Sequence, residues 1–364
     1  MVIFLLSRVM VNHAHVQCVD KKSLKEKQSI KIGYMIQKKI AFLTEMGFEG
    51  KIPETHPNMR TEFSWMYALN ADHHPLSKWN YVKGYDYVFI IWPKGKVSLN
   101  SEGIELPDTR EKMFGKISPF ATRVLKESNK KVFYVQEGPV WFPTDYSVID
   151  QVNHLTIVNE ADAIFCHNEI DKKWYKGIAP NVPVFTIETL MIDTLLHDIN
   201  PTPTNEIIIG GNFCRWYGGF QSYITALRFE GYKYYVPSMH NKRENEEHFI
   251  NVLPYMQWND WMKRLSTFKV GIHLMPTVAA GTFSLNCAYF GIPVIGNKDV
   301  DTQKVLHPAL SVDVNDIESA ISLAHELNKD DSFYKECSRY CKEKVVYYLK
   351  YGWLARMEEK LNSL

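Results

Sequence analysis

Residues 270–297 read VGIHLMPTVAAGTFSLNCAYFGIPVIGN. Residues 269–274 are a short apolar run with β-branched members, which predicts a buried strand. Pro276 and Gly281 then break the chain. Thr282 and Ser284 can cap a helix beginning near Phe283, with Leu285, Ala288 and Tyr289 on its apolar side. Gly291 stops that helix, and Pro293-Val-Ile-Gly296 opens the next strand. The order is strand, tight loop, helix N-terminus, helix, strand. Such a loop brings unpaired main-chain N–H groups and the positive end of a helix dipole to one point. A point of that kind binds phosphate.

Upstream of this unit, Glu206-Ile-Ile-Ile-Gly210 predicts another strand. It runs straight into Gly211-Asn212-Phe213-Cys214-Arg215, then Gly218-Gly219 and a helix from about Phe220 to Glu230. Glycines let the backbone approach a phosphate closely, and a guanidinium pairs with two phosphate oxygens. Gly210, Gly211, Asn212 and Arg215 are therefore candidate ligands of the same anion as Gly281, Thr282, Phe283 and Ser284. Tyr232–Val236 is a further strand, leading to Pro237-Ser238-Met239-His240. A helix begins at Trp258, another covers Asn315–Leu327, and from Ser332 the chain reads helical nearly to its end.

The first half alternates in the same way. Strands are expected at Val2–Leu6, Asp86–Trp92, Lys131–Gln136, Ala163–Cys166 and Val184–Ile187. Helices are expected from about Ser29 to Met46, with Ile32, Met35, Ile36, Ile40 and Leu43 at helical spacing, from Met59 to Asn70, and from Ile149 to Val158. Ala71-Asp72-His73-His74-Pro75 reads as the loop after the second of these. Residues 7–28 form a long polar connection carrying Arg8, His13, His15, Lys21, Lys22, Lys25 and Lys27. It should overhang the C-terminal ends of the strands, where ligands of such folds bind. Strands alternating with helices argue for parallel sheets. The polar stretch His197–Thr204, with Pro201 and Pro203, reads as a linker. The expected organisation is a domain of residues 1–196, a second of 205–330, and a closing helical segment of 331–364.

Composition narrows the classes. A chain of 364 residues exceeds one usual core. With 45% hydrophobic and 13% aromatic residues it has enough apolar mass for two. A net charge of +1 gives no general polyanion signal. No run approaches membrane-spanning length, and Val2–Leu6 is too short for a signal segment. The six cysteines are scattered, with no zinc spacing, as expected of reduced thiols in a cytoplasmic protein.

Pro276-Thr277, Gly281 and Gly291-Ile-Pro-Val-Ile295 resemble the donor loop of GT-B glycosyltransferases, especially the large retaining family four. The glycine turn ending in Arg215 resembles the first turn of their C-terminal domain. The two glutamates of that family fall at Val278 and Asn286 here, and its lysine after the arginine is replaced by Tyr217-Gly218. The resemblance implies an α/β fold of two Rossmann-like parallel-sheet domains facing a cleft, with a C-terminal helix crossing back. It implies transfer of a sugar from a nucleoside-diphosphate sugar, a UDP-sugar by expectation, without a metal or other cofactor. His240 would stack on the nucleobase, and Asn286 would face the sugar. If the reaction inverts, a base must come from the first domain. Asp72 is the first choice and Glu137, at the end of the Lys131–Gln136 strand, the second.

Segments such as SWMYALNADHHP and VFYVQEGPVW look like those of phage-encoded glycosyltransferases, including enzymes acting on hydroxymethylated DNA bases. That likeness implies a hydroxymethylated pyrimidine in double-stranded DNA as acceptor and a cytoplasmic location, that of the host cell for a phage protein. Three alternatives stay open at the level of sequence. They are a surface glycan or small-molecule acceptor, a nucleotide-sugar epimerase of the same fold, and a two-domain binding module.

Overall fold

The computed structural model describes residues 38–92, 98–99, 105–106, 117–136, 138–211, 217–237 and 250–364. The expected strand Val2–Leu6, the connection 7–28 and most of the expected helix 29–46 lie outside them. In the first half the elements are β1 (Ile40–Thr44), β2 (Gly50–Lys51), α1 (Glu62–Ala68), β3 (Asp72–Pro75), β4 (Tyr87–Ile91), a hairpin of β5 (Ser98–Leu99) and β6 (Glu105–Leu106), α2 (Pro119–Ser128), β7 (Lys131–Val135), α3 (Val148–Glu160), β8 (Ala163–Cys166), α4 (Glu169–Ile178) and β9 (Val184–Thr186). They build a seven-stranded sheet in the order β2-β3-β1-β4-β7-β8-β9. Every pairing in it is parallel except β2 with β3.

Two expectations are corrected here. Ile40–Thr44 is a strand, not the end of a helix, and all five residues are buried. A strand inside a parallel sheet is covered on both faces, so it shows no two-residue alternation to betray it. Asp72–Pro75 is also a strand, not a loop. Its inward residue is His73, fully buried and held by Thr44 Oγ1 at 2.7 Å and the Phe48 carbonyl at 2.7 Å. Those two bonds let an imidazole stand where an apolar side chain is expected.

The second half comprises β10 (Glu206–Ile209), α5 (Gly219–Ala226), β11 (Lys233–Pro237), β12 (Asn251–Leu253), α6 (Trp258–Leu265), β13 (Val270–His273), α7 (Thr282–Tyr289), β14 (Val294–Asn297), α8 (Asp301–Leu306), β15 (Ser311–Val312), α9 (Ile317–Lys329), α10 (Asp331–Lys344) and α11 (Lys350–Asn362). Its six strands run β12-β11-β10-β13-β14-β15, all parallel. The two sheets divide the chain between Thr186 and Glu206.

The cores of the halves are continuous. Phe42, Phe89, Phe133 and Phe165 form a ladder across adjacent strands, with successive ring centroids 4.7, 4.9 and 5.5 Å apart. They share one apolar cluster with Trp65 of α1, with Phe268 and Leu285 of the second half, and with Trp353 and Met357 of α11. On the other face of the first sheet, α2, α3 and α4 bury Leu125, Ile157 and Tyr175.

The chain does not stay helical from Ser332 onward. Leu349 is extended, at φ −81° and ψ 161°, and forms a parallel bridge with Met191. That long-range contact wins over local propensity and sends α11 back onto the first sheet. There Trp353 Nε1 donates to the Glu188 carbonyl at 2.8 Å, and Trp65 Nε1 donates to the same oxygen at 3.2 Å. Lys360 Nζ reaches the Thr186 carbonyl at 2.6 Å and the Glu188 carboxylate at 2.9 Å. Among the described residues no helix is long and apolar enough to cross a membrane.

Candidate active site

Parallel strands present their C-terminal ends, and the loops after them, at one edge of a sheet. In the second half that edge carries both glycine turns, and the structure brings them together. β10 and β13 are neighbours, and the Gly210 amide donates to the Ile272 carbonyl at 2.9 Å. A methyl group at Gly210 would lie 2.7 Å from the His273 ring and 2.8 Å from the Phe283 ring. The first turn, the end of β13 and the first turn of α7 therefore meet at one point. Only a residue without a side chain lets them approach this closely. Gly211, at φ +132°, turns the chain beneath Tyr217.

Gly281 at φ +71° is the N-cap of α7, and Thr302 Oγ1 donates to its carbonyl at 2.8 Å. The first amides of α7 have no acceptor within the helix, so this end favours an anion. Thr282 and Phe283 are partly exposed there. Ser284 is turned inward, donating to Gln303 Oε1 at 2.8 Å, and Asn286 is buried. Asn212, Arg215, His240 and Glu137 lie outside the described residues.

In the first half the matching edge presents Gln136 after β7 and His167-Asn168 after β8. Here lies a carboxylate that the sequence reading did not single out. Asp171, in the first turn of α4, is 1% exposed. Its Oδ2 accepts from Asn168 Nδ2 at 2.8 Å and from Gln136 Nε2 at 3.1 Å. Asn168 Oδ1 in turn accepts the Asp171 amide at 2.8 Å as the cap of α4. Burial pushes the Asp171 pKa up to about 7, against the two hydrogen bonds, and the charge of Asp301 raises it further. Asp301 opens α8, beyond β14 of the other sheet. Burial, together with Glu169 and Glu188, raises its own pKa to about 6. The charge of one carboxylate is thus felt at another from the opposite half of the molecule. The sequence signal for Asp171 was an Asn168-x-x-Asp171 cap, a pattern common to ordinary helix starts.

Asp72 stands elsewhere. It begins β3, level with Ala41, and so lies at the edge of the first sheet opposite Gln136 and Asp171. It accepts from Tyr85 Oη at 2.9 Å and lies 3.3 Å from Lys51 Nζ. Its expected place in a loop over the cleft is corrected by that pairing.

No protein-family model matches the chain, and a search of curated proteins found no match. Solved structures do. An α-glucosyltransferase in complex with UDP and a 13-mer DNA containing an HMU base superposes with a TM-score of 0.58 at 14% identity, over 90% of this chain and 100% of that one. Sucrose-phosphate synthase from Thermosynechococcus elongatus gives 0.57 at 10% identity, with coverages of 90% and 100%. A mutant of S. aureus TarM, in complex with fondaparinux, α-GlcNAc-glycerol and UDP, gives 0.54 at 11% identity. That match covers 79% of this chain but 57% of TarM, little more than half its length. At such identities the likeness speaks for architecture, and with the two largely parallel sheets it gives the conclusion that this chain has the two-domain GT-B fold.

Proposed function

We propose that this protein is a glycosyltransferase that moves a sugar from a nucleoside-diphosphate sugar, a UDP-sugar, to a hydroxyl acceptor. The observation that carries the reading is the meeting of Gly210 with Phe283, which joins two main-chain phosphate cradles at the crevice. A diphosphate leaving group gathers negative charge as its bond to the sugar breaks. Main-chain amides already aimed at it stabilise that charge with little reorganisation. In this proposal the free amides of Thr282, Phe283 and Ser284 hold the diphosphate, and Gly210 and Gly211, whose own amides are spent on the Ile272 and Ile209 carbonyls, let the backbone come close to it. Arg215 adds a guanidinium to it, Asn212 continues the turn, and His240 stacks on the base. Asn286 remains the candidate nearest the sugar.

Asp171 takes the part of the base, in place of Asp72. A carboxylate with a pKa near neutrality can both accept a proton and be present in its charged form at working pH. Glu137, next to Gln136 in sequence, stays the second candidate. For the acceptor we propose a hydroxymethylated pyrimidine in DNA. Support comes from the architectural likeness to an α-glucosyltransferase bound to DNA with an HMU base. Lys21, Lys22, Lys25 and Lys27 offer charge for phosphates. A base in duplex DNA would have to be flipped out to reach the crevice.

The test is incubation with UDP-glucose, UDP-N-acetylglucosamine and other nucleotide sugars, with and without DNA carrying hydroxymethylated bases. Nucleosides and released nucleotide are then read by mass spectrometry. A glycosylated nucleoside is the expected product. Donor hydrolysis without a new nucleoside removes the DNA acceptor alone. No turnover and no binding of any donor removes the whole reading.

A further inference from the structure

His273 ends β13, level with Gly296 of β14. It sits between the glycine turn after β10 and the first turn of α7. The Gly210 backbone lies against the Cγ–Cδ2 edge of its ring, and the Phe283 ring packs edge-on with centroids 5.0 Å apart. The Nε2 atom next to that edge is shut off from solvent and has no hydrogen-bond partner among the described residues. Three buried histidine rings are tied down by contrast. His73 and His307 each engage a carbonyl oxygen, and His154 engages the Tyr134 hydroxyl at 2.8 Å. Leaving a polar atom enclosed and unpaired costs about 1–3 kcal/mol. A phenylalanine or leucine would fill the same space without that cost, so the imidazole calls for a partner that arrives from outside.

Resting on the donor-site reading above, we infer that His273 is a direct ligand of the donor's diphosphate, its imidazole N–H donating to a phosphate oxygen held by the two glycine turns. The position supports this. Its ring meets both Gly210 and Phe283, the residues that bring the turns together. Burial holds its pKa down to about 3, so without a bound anion the ring is neutral. A neutral imidazole carries one N–H donor and one acceptor nitrogen. Phosphate oxygens are acceptors only, and so match the donor. Burial is the cause of that shift, with no charged side chain among the described residues acting on the ring.

The experiment is calorimetric titration of the full chain with UDP, GDP and ADP, alongside His273→Gln and His273→Phe, each first melted to establish that it folds. Wild type is expected to bind at least one of the three. His273→Phe should weaken that binding about 10- to 100-fold, the range for a hydrogen bond to a charged group. His273→Gln, which keeps an N–H donor, should recover part of it. In parallel, protein labelled with 15N-histidine should show the His273 ring signals, identified by their loss in His273→Gln, moving on saturation with the nucleotide. Tight binding by His273→Phe, or ring signals that stay put while wild type binds, overturns this inference and leaves the donor site standing. A wild type that binds none of the three nucleotides overturns the donor site itself, and the role of His273 with it.

Discussion

Asp171 is tied both to a local helix cap, through Asn168, and to the chemistry proposed for the site. Asp171→Asn keeps the hydrogen bonds from Asn168 and Gln136, because an amide oxygen accepts as a carboxylate does. It removes the proposed proton acceptor. Turnover is expected to fall about 100- to 10,000-fold while donor affinity holds, checked by steady-state kinetics with the donor varied. The same residue shapes stability. Unfolded, its carboxyl titrates in the ordinary range near 4, and folded it holds its proton to about 7. Between those values the folded state binds more protons, so this group makes stability fall as pH rises. Asp171→Asn should therefore gain stability relative to wild type between pH 4 and 7, read as a widening difference in melting temperature. His73, His154 and His307 work in the opposite sense. Burial lowers each to about 4, so their neutral forms support the fold above pH 6.5 and that support is lost as pH falls towards 4. Melts of wild type in that window should show acid destabilisation, and a flat profile would contradict the burial of these rings. None of this was readable from the chain, since the environment of Asp171 depends on Gln136, 35 residues away, and on Asp301 in the other half.

Among the elements, the helix starts of the second half rest on glycines whose conformations rank their replacements. Gly218, the N-cap of α5 at φ +62°, has no room for a methyl group, which would strike the Leu274 carbonyl oxygen, a main-chain atom fixed in the fold. At Gly281 the methyl would strike Thr302 Oγ1 and Val300 Cγ1, side-chain atoms rather than main chain. Gly231, at φ +80°, faces open space. Replacement by alanine should thus cost most at Gly218, less at Gly281 and about 1–2 kcal/mol at Gly231, where only the left-handed backbone is strained. Denaturant melts of the three variants would expose a different order. These glycines were legible because a residue without a side chain marks a turn wherever it stands, and Gly281 and Gly291 bound α7 in the sequence as in the structure. The first sheet was half legible. Tyr87–Ile91 and Val132–Val135 are unbroken apolar runs, while β1 continues an apolar pattern that fits a helix equally well, and β3 is made of Asp, His, His and Pro. Periodicity measures amphipathicity, and elements covered on both faces, or filled by a hydrogen-bonded histidine, have none to measure.

At the scale of the whole molecule, α11 joins the end of the chain to the core of its first half. Trp353 is 1% exposed and shares the apolar cluster of the phenylalanine ladder. Trp353→Ala should cost about 3–5 kcal/mol, the range for emptying a large aromatic site. Because the core is shared, the loss should appear in one unfolding transition, and two separate transitions with only one shifted would contradict a continuous core. The Glu188 carbonyl, which receives an indole N–H from Trp65 and another from Trp353, has a consequence for biogenesis. On a translating ribosome the early residues emerge long before their covering helix is made. Until the final segment clears the exit tunnel, a sticky aromatic surface stays bare and open to chaperones or self-association. A message truncated just ahead of Lys350 would then yield insoluble product rather than a slightly smaller folded protein.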